Sequence, residues 1–423
     1  MTRIALIGFG VVALVAAVVA GIGWKPLPVE SRPAAAPAVP SLRLILPGLD
    51  PSAVASLDGD LRAVVTPPAK RSAPVMTGER DGIVAPYLSV HREADAWTAY
   101  VHVSDYGVDV PYLARATSGD GLTWTRPVKC QTPPLGFGGD VVRRGNRWHY
   151  AYWRQEGTWY GTHEIVSDDG MTFGAARRIM YHDHDITSLS HDGSRWVLMY
   201  SQFPGGDQPR RSHWATSPDG REFATQGLLT APAAWDQGHT QFYGVDGWIT
   251  RGPYRIGLVK VMRDDVTAPG ESHPGVGWTE LIVSKSGGPW RRIEVRWLQP
   301  TPGAWDCTHA WADEQVVVGD TLRVYYGGYA DGHKGNRHTS RSIGVAECRV
   351  DRYAALAGTG TVTLAPLPAG WGGSLAVDAD GLRVVLVNGF ETAAVDGRYP
   401  VRAGDVMTVR LEGGRLWSLT VAD

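Results

Sequence analysis

Cysteine is scarce in this chain. Its 423 residues contain three cysteines, Cys130, Cys307 and Cys348, and no C-x-x-C pair. Three cysteines cannot build a complete disulfide framework, and the missing C-x-x-C spacing gives no sign of a zinc or dithiol site. We therefore interpret them as small buried side chains rather than as metal ligands or nucleophiles. One disulfide stays open if the compartment is oxidising, and the sequence does not choose its pair.

An excess of charge is also missing. The chain has 41 lysines and arginines against 43 aspartates and glutamates, and its sequence pI is near 6.7. A nucleic-acid partner would require a basic excess, so none is expected. No helical period of useful length follows residue 25, which excludes a helical fold. Instead there are 17 Trp and 16 Tyr. Aromatics in this number fill the cores of sheets, and surplus ones along a groove can stack on sugar rings.

One long apolar run is present, at residues 4–23 behind Arg3. A helix of that length, at about 1.5 Å per residue, just crosses a bilayer core. The run exceeds the usual secretory h-region of about 7–15 residues, which favours an uncleaved anchor, while a small-residue site ending at Ala20 leaves cleavage open. Both alternatives predict export: a membrane anchor facing outside the cytoplasm, or a secreted or periplasmic protein.

A short turn recurs along the chain. It reads SGDGLTW at residues 118–124, SDDGMTF at 167–173, SPDGREF at 217–223 and, less regularly, SKSGGPW at 284–290. The Asp-Gly pair supplies the side-chain hydrogen bond and the positive φ of a tight turn, and the closing aromatic packs back onto the sheet. The repeat therefore predicts β-hairpins.

An aromatic-rich strand precedes each turn, and a fifth strand of this kind follows the last turn. The five strands begin at Trp97, Trp148, Trp196, Tyr254 and Leu322. Five repeats of about fifty to seventy residues, each with about four short strands, are typical of β-propeller blades.

The boundaries follow from this repeat. We predict an all-β chain with a signal anchor or signal peptide at 1–25, a Pro/Ala-rich linker with short strands at 26–77, a five-bladed β-propeller at 78–358 and a small C-terminal β-sandwich at 359–423. The short strands between 41 and 65 either close the propeller ring or pack on the sandwich. We expect a monomer that meets the membrane through its N-terminal segment.

Each predicted blade brings an acid to the start of its innermost strand, where the blades converge on a central funnel. These acids are Asp81, Asp140, Asp185, Asp236 and Asp306. One alternative is that they form turns, as Asp commonly does. A ring of mutually repelling carboxylates at one register favours a functional site instead. Glycoside hydrolysis needs an acid and a base or nucleophile on opposite faces of a sugar, and repulsion between carboxylates would raise the pKa of one of them.

Two motifs in the fourth and fifth blades are distinctive. Blade four opens with an acid followed by an F-Y-G run at 236–244, and blade five carries GDTLRVYYGG at 319–328, then His333 and an IGVA strand at 343–346. With these motifs the chain resembles the five-bladed β-propeller glycosidases of glycoside hydrolase families 43 and 32, over roughly residues 78–420. The resemblance implies an exported glycoside hydrolase that cleaves a polysaccharide or oligosaccharide.

The resemblance also implies roles for individual residues. Asp81 and Asp185 match the family's base or nucleophile and its assisting Asp, and blade four offers Asp236 as the acid where the family has Glu. Asp140 is the remaining catalytic candidate. The candidates for binding the carbohydrate substrate are Asp306, His333, Trp235, Tyr243 and His239. No cofactor is required, but the family often holds a calcium ion near the axis, which His309 would contact through water.

Other functions stay open. The missing Glu and the apolar N-terminal run favour a non-catalytic carbohydrate-binding or envelope-scaffolding propeller. The Asp-Gly turns are similar to sialidase Asp-boxes but one residue shorter, and no spacing singles out an arginine triad among Arg143, Arg144, Arg251 and Arg255. A polysaccharide lyase could use the same scaffold. Turnover of a sugar substrate separates the enzymes from the binding protein.

Overall fold

The computed structural model describes most of the chain after the apolar run. It covers residues 42–422 except 95, 106–110, 204, 206–207, 235 and 239. The expected signal anchor or signal peptide at 1–25, and the candidates Trp235 and His239, lie outside the described residues. In the described part of the chain, neither helix is long and apolar enough to cross a membrane.

The described chain begins with five short strands and two brief helical turns. These are β1 (Arg43–Ile45), a 3-10 turn (Pro51–Ala53), β2 (Val54–Gly59), β3 (Arg62–Val65), β4 (Ala69–Lys70), β5 (Met76–Thr77) and helix α1 (Gly78–Asp81). The Thr77 hydroxyl caps α1 by accepting from the Arg80 amide, and Gly82 ends it at a φ of 75°. Glycine suits that end because other residues rarely adopt a positive φ.

Three separate four-stranded antiparallel sheets follow. Blade one consists of β6 (Ile83–Glu93), β7 (Ala96–Val103), β8 (Tyr112–Ser118) and β9 (Val128–Lys129). Blade two consists of β10 (Phe137–Arg144), β11 (Arg147–Glu156), β12 (Trp159–Ser167) and β13 (Arg177–Tyr181). Blade three consists of β14 (Thr187–His191), β15 (Trp196–Gln202), β16 (Arg211–Ser217) and β17 (Ala224–Thr230).

Blades four and five are joined by one parallel bridge between Gly277 and His309. Blade four consists of β18 (Thr240–Arg251), β19 (Tyr254–Arg263), β20 (Val276–Lys285) and β21 (Arg291–Leu298). Blade five consists of β22 (His309–Val318), β23 (Thr321–Tyr329), helix α2 (Arg337–Ser340) and β24 (Arg341–Arg349). The first strands of successive blades contact one another in the closed order β6, β10, β14, β18, β22 and back to β6. The five repeats therefore form the ring of a propeller.

The recurring Ser-x-Asp-Gly turn has the same geometry in its first three copies. In the first copy the Ser118 hydroxyl accepts from the Gly121 amide at 2.9 Å, and the Asp120 carboxylate accepts from two following amides at 2.7 Å each. Gly121 has a φ of 71°, which explains the glycine. Each turn connects the third strand of its blade to the fourth.

These turns also attach each blade to the blade before it. The Tyr325 hydroxyl of blade five donates to the Gly121 carbonyl of blade one at 2.8 Å. The Tyr100 hydroxyl of blade one donates to the Gly170 carbonyl of blade two at 2.9 Å. The repeated motif thus links successive blades as well as reversing the chain.

Blade five takes its outer strand from the N-terminal side of the chain. Lys70 of β4 pairs with Ala346, and Thr77 of β5 pairs with Ser342, both on β24. The ring is therefore closed by residues in the stretch interpreted as a linker, whereas β1, β2 and β3 pair with the C-terminal strands. The strands β4 and β5 have two residues each and stand beside prolines. They are therefore too short to show the alternation of apolar and polar residues by which a strand is recognised in a sequence.

Asp306 stabilises the pairing of β4 with blade five. The Lys70 ammonium lies 2.5 Å from the Asp306 carboxylate, and the Tyr326 hydroxyl donates to the same oxygen at 3.2 Å. The Asp306 side chain is only 2% exposed. The structure therefore gives Asp306, a predicted substrate-binding residue, a structural partner at the ring closure.

Replacing Lys70 by Met should lower the free energy of unfolding by about 2–4 kcal/mol, because breaking a buried pair leaves one uncompensated charge. Thermal and urea unfolding measure the loss. Arg71→Met in the same stretch is the matched control, since its pair with Glu347 is 3.4 Å long and largely exposed and should contribute less than about 1 kcal/mol. Equal losses in the two variants would contradict this role of Lys70.

The C-terminal strands form one eight-stranded sheet with β1, β2 and β3. Its later members are β25 (Ala354–Leu364), β26 (Gly373–Val387), β27 (Phe390–Glu391), β28 (Tyr399–Val401) and β29 (Met407–Ala422). Register shifts in β25 and β26 let these long strands bend around a buried apolar cluster that includes Leu356, Val409 and Leu419. The expected two-sheet sandwich at 359–423 is thus a single curled sheet that begins at Ala354 and includes N-terminal strands.

Candidate active site at the mouth of the propeller

The innermost strands carry three tiers of side chains along the propeller axis. At one end, which we call the mouth, lie Tyr87, Asp185, Tyr243, His309 and Trp311. The middle tier holds Asp140, Asp246, Asp313 and Glu314. The far end holds His91, Arg143, Ser190, His191 and Trp248. The same tiers recur because the first strands all run in one direction, and each brings successive residues down the axis.

Asp185 places its carboxylate at the mouth with one oxygen buried. Oδ1 lies 3.3 Å from Nε2 of His184 and 3.8 Å from Nη1 of Arg210. That oxygen is buried, while the side chain as a whole keeps 27% of its area exposed. The second oxygen is therefore free to meet a ligand. Burial and the nearby Arg210 charge lower the pKa of His184 to about 4, so this imidazole is neutral at pH 7.

Arg210 stands at the centre of the site. Its guanidinium stacks 4.1 Å from the Tyr243 ring centre and 5.3 Å from that of Phe203, and the residue is 7% exposed. Its Nε and Nη1 atoms make no hydrogen bond among the described residues. A buried cation held by aromatic rings and a carboxylate at 3.8 Å leaves donors available for a ligand oxygen.

An aromatic and histidine wall faces Asp185. Tyr243 stacks on Trp311 with 4.6 Å between ring centres, and its hydroxyl lies 3.4 Å from Nε2 of His333. His309 lies 5.8 Å from His333 and 4.6 Å from Trp311, between ring centres. Three residues predicted from sequence, Tyr243, His333 and His309, are thus brought together. Trp311 and His309 are fully buried, so of this wall only Tyr243 and His333, 7% and 8% exposed, reach the surface.

The hydrogen bonds of Thr308 fix the tautomer of His309. The Thr308 hydroxyl donates to the Tyr329 carbonyl at 2.9 Å, and the same oxygen lies 3.0 Å from Nδ1 of His309. Because a hydroxyl has one proton, Nδ1 must be the donor to Thr308. Burial and the Arg341 charge lower the pKa of His309 well below its ordinary value. The ring is therefore neutral, and its unpartnered Nε2 can accept a hydrogen bond.

Asp264, at the end of β19, is a second carboxyl of this region. Its Oδ2 accepts from the Gln241 amide. Burial raises the pKa of Asp264 above its ordinary value, although the nearby Arg210 and Lys334 charges oppose the shift. The same Lys334 interacts with Asp185. Two carboxyl groups therefore share the charges of Arg210 and Lys334, and burial makes the half-buried Asp264 a weaker acid than an exposed aspartate.

Several solved structures with a similar fold are of proteins named for their action on carbohydrates. A beta-1,2-mannobiose phosphorylase from Listeria innocua, in complex with beta-1,2-mannobiose, is 12% identical with a TM-score of 0.50, covering 69% of this chain and 97% of its own. An N-acetylgalactosamine deacetylase from F. plautii is 15% identical with a TM-score of 0.49, covering 70% and 96%. A GH32 beta-fructofuranosidase from Bombyx mori is 10% identical with a TM-score of 0.46, covering 89% and 95%.

The chain shares the fold of this beta-1,2-mannobiose phosphorylase. At this identity the likeness concerns the fold alone. No protein-family model matches the sequence, and no curated protein matches it.

Two predicted catalytic residues have other partners. The Asp81 carboxylate accepts from the Thr77 amide at 3.0 Å and from the Arg80 guanidinium at 2.8–3.0 Å, and its side chain is 2% exposed. Asp236 forms two hydrogen bonds with Arg292, at 2.7 and 2.9 Å. Although burial opposes the shift, these bonds lower the pKa of Asp236 below its ordinary value. A carboxyl held in its charged form does not suit a general acid.

A third predicted catalytic residue, Asp140, lies in the middle tier. This tier contains four acids and the lysine Lys260. The Lys260 ammonium is 2.9 Å from Asp246 and pairs with Asp313. Burial opposes its charge, but the two aspartates raise the pKa of Lys260 above its ordinary value. Burial and Asp246 raise the pKa of Asp140 to about 8, and burial and Asp140 raise that of Glu314 well above its usual range. The Lys260 ammonium and the protons held by the acids thus offset the negative charge of the four carboxyl groups.

These residues do not fit the calcium ion that the family resemblance implies. The neighbours of His309 are aromatic rings, His333 and the Arg341 charge, and calcium prefers oxygen ligands. The carboxylates nearer the axis already hold the Lys260 ammonium. Across the described residues, no group of three or more His, Cys, Asp or Glu side chains could hold a metal ion.

Sequence reasoning missed several residues of the mouth. Tyr87 takes the blade-one position there, six residues beyond Asp81, and burial with the neighbouring Tyr243 and Asp185 raises its pKa well above the ordinary value. His184 stands beside Asp185 in the HDHD run, so that adjacency was a usable signal. Arg210 and Asp264 lie outside the innermost strands, and their positions follow only from the packing of the loops.

Proposed function

We propose that this protein is an exported glycoside hydrolase that cleaves a polysaccharide or oligosaccharide at the mouth of the propeller. The observation that carries the proposal is the placement of Asp185 and Asp264 around Arg210. Asp185, which has no tight partner and keeps 27% of its side chain exposed, suits the base or nucleophile. Asp264, with a raised pKa, suits the acid that protonates the leaving oxygen.

The remaining groups of the mouth suit substrate binding. Tyr243 and His333 keep 7% and 8% of their areas exposed and can meet a sugar, while Trp311 and His309 are fully buried and support them from behind. Arg210 can donate to a ring or hydroxyl oxygen beside Asp185. The Listeria protein that shares the fold holds a disaccharide, which supports a carbohydrate as the ligand. Export is supported by the apolar run at 4–23.

The second candidate is a non-catalytic carbohydrate-binding propeller. It is favoured by the ion pairs that hold Asp81 and Asp236, since these remove two of the carboxylates on which the sequence-based mechanism rests. Such a protein would bind a glycan at the same wall of Tyr243, Trp311 and the two histidines without releasing product.

Release of reducing sugar by the full-length protein from a panel of plant, microbial and mycobacterial polysaccharides tests the proposal. We expect release from at least one substrate by the wild type and by Asp183→Asn, a control in the same HDHD run whose side chain is exposed. Folded protein that binds a glycan in the panel but releases nothing would favour the binding propeller and overturn the hydrolase.

A further inference from the structure

A second polar cavity opens at the far end of the propeller axis. It has a volume of about 300 Å³, and its lining reaches Asp140 and Glu314 of the middle tier. Asp185 lies two residues before the innermost strand of blade three and His191 ends that strand, and six residues of extended chain span about 20 Å. The cavity is therefore separate from the mouth, and the Lys260 cluster lies between them.

The cavity wall combines several kinds of hydrogen-bonding group. Asp140, Glu314, Ser188, Ser190 and Trp248 all line it. The Asp140 carboxyl accepts from the Ser188 hydroxyl, and that of Glu314 accepts from the Gln315 amide at 3.2 Å. Ser190 Oγ and Trp248 Nε1 are buried and have no hydrogen-bond partner among the described residues. Buried polar groups are normally paired, so these two indicate a missing partner.

The charges of the lining narrow the class of ligand. A metal ion would need charged carboxylates, but burial keeps Asp140 and Glu314 toward their protonated forms and Lys260 already supplies the positive charge. Arg143 and Arg144 also line the cavity, but Arg143 already pairs with Glu93 and packs on Trp148. An anion in the inner part would meet the carboxyl groups of Asp140 and Glu314. A protonated carboxyl both donates and accepts, as do serine hydroxyls. The lining therefore matches a neutral ligand with many hydroxyls.

We propose that this far-end cavity binds a neutral monosaccharide, or the terminal unit of a neutral glycan, through Asp140, Glu314, Ser190 and Trp248. Its volume lies at the lower limit of ligand pockets, about 300 Å³, which suits a single sugar ring. The cavity shares His91 and Arg143 with a wider surface depression, so a longer chain has room to leave it. This site is independent of the mouth and of hydrolysis there.

The experiment is calorimetric titration of the full-length protein with glucose, galactose, mannose, xylose and arabinose, followed by the binding sugar on variants. Ser190→Trp fills the cavity and should abolish binding. Trp248→Phe keeps an aromatic side chain but removes the N–H donor, so it should weaken binding roughly 3- to 10-fold. Asp185→Asn, at the mouth, should leave this affinity unchanged.

Three results would overturn the proposal. The first is that none of the five sugars binds with a Kd below about 10 mM. The second is binding that survives Ser190→Trp. The third is binding that is lost in Asp185→Asn but kept in Trp248→Phe. Melting temperatures establish that each variant is folded. If Ser190→Trp does not fold, Glu314→Gln replaces it, and unchanged affinity in both Glu314→Gln and Trp248→Phe would equally refute the site.

Discussion

Asp185→Asn will lower the rate of glycan hydrolysis by roughly 10³-fold or more while the melting temperature stays within a few degrees. The rate falls because an amide cannot act as base or nucleophile. Stability is kept because the partners of Asp185 lie at 3.3 and 3.8 Å, too far for strong hydrogen bonds. Initial rates on the best polysaccharide of the panel, with thermal unfolding of the same preparations, measure both quantities.

Asp183→Asn, two residues away and exposed, is the matched control and should keep its rate. A drop of many degrees in Asp185→Asn would show a structural carboxylate. An unchanged rate would remove Asp185 from the mechanism.

Asp264 gives the same mechanism a pH signature. Because burial raises its pKa, the acid form is present below that pKa, and the rate should fall as pH rises through it. Asp264→Asn should remove this alkaline limb and cost roughly 10²-fold on polysaccharides. Aryl glycosides with nitrophenyl leaving groups, which need little protonation, should lose much less. Equal losses on both substrate types would exclude Asp264 as the acid.

Lys260→Met will destabilise the protein by about 3–5 kcal/mol, because it leaves two buried aspartates without their cation. The side chains of Lys260 and Asp313 are each 1% exposed, and that of Asp246 is 4% exposed, so water cannot replace the ammonium. The loss in the free energy of unfolding should be larger at pH 8 than at pH 5. In the variant, burial without a counter-charge raises the carboxyl pKa values, so stability is present at low pH and is lost as pH rises.

Lys285→Met is the control for that experiment. Lys285 lies 2.7 Å from Asp50 with 43% of its side chain exposed, and the change should cost less than about 1 kcal/mol. Urea unfolding at both pH values measures all three proteins. A Lys260→Met deficit that is absent, or identical at pH 5 and pH 8, would contradict the role of the ammonium as internal counter-ion.

The propeller could be predicted because its signals are local and repeated. The Asp-Gly turns and the aromatic strands each occupy a few consecutive residues, and five copies reinforce one another. Ring closure by β4 and β5 could not be predicted in this way, since Lys70 gains its strand partner 276 positions later, at Ala346. The curled C-terminal sheet was misjudged for the same reason, because β1 joins β29 across most of the chain.

The acids near the starts of the innermost strands share a position in the repeat but not an environment. Asp306 meets Lys70, Asp81 meets Arg80 and Asp236 meets Arg292, while Asp185 keeps 27% of its side chain exposed. The partners of Asp306 and Asp236 come from distant parts of the chain, so sequence spacing could not identify them. The partner of Asp81 is the preceding residue, and that adjacency was visible in the sequence.

The strand that completes blade five also constrains the order of assembly. Residues 69–77 are synthesised before any blade, yet their partners on β24 follow almost three hundred residues later. During synthesis or export the early blades can form in turn, but the ring stays open and the edge of blade one lacks its neighbour. Only the arrival of β24 lets both ends of the chain meet, so a ribosome-bound or half-exported molecule has no finished mouth and should be inactive until its last blade is released.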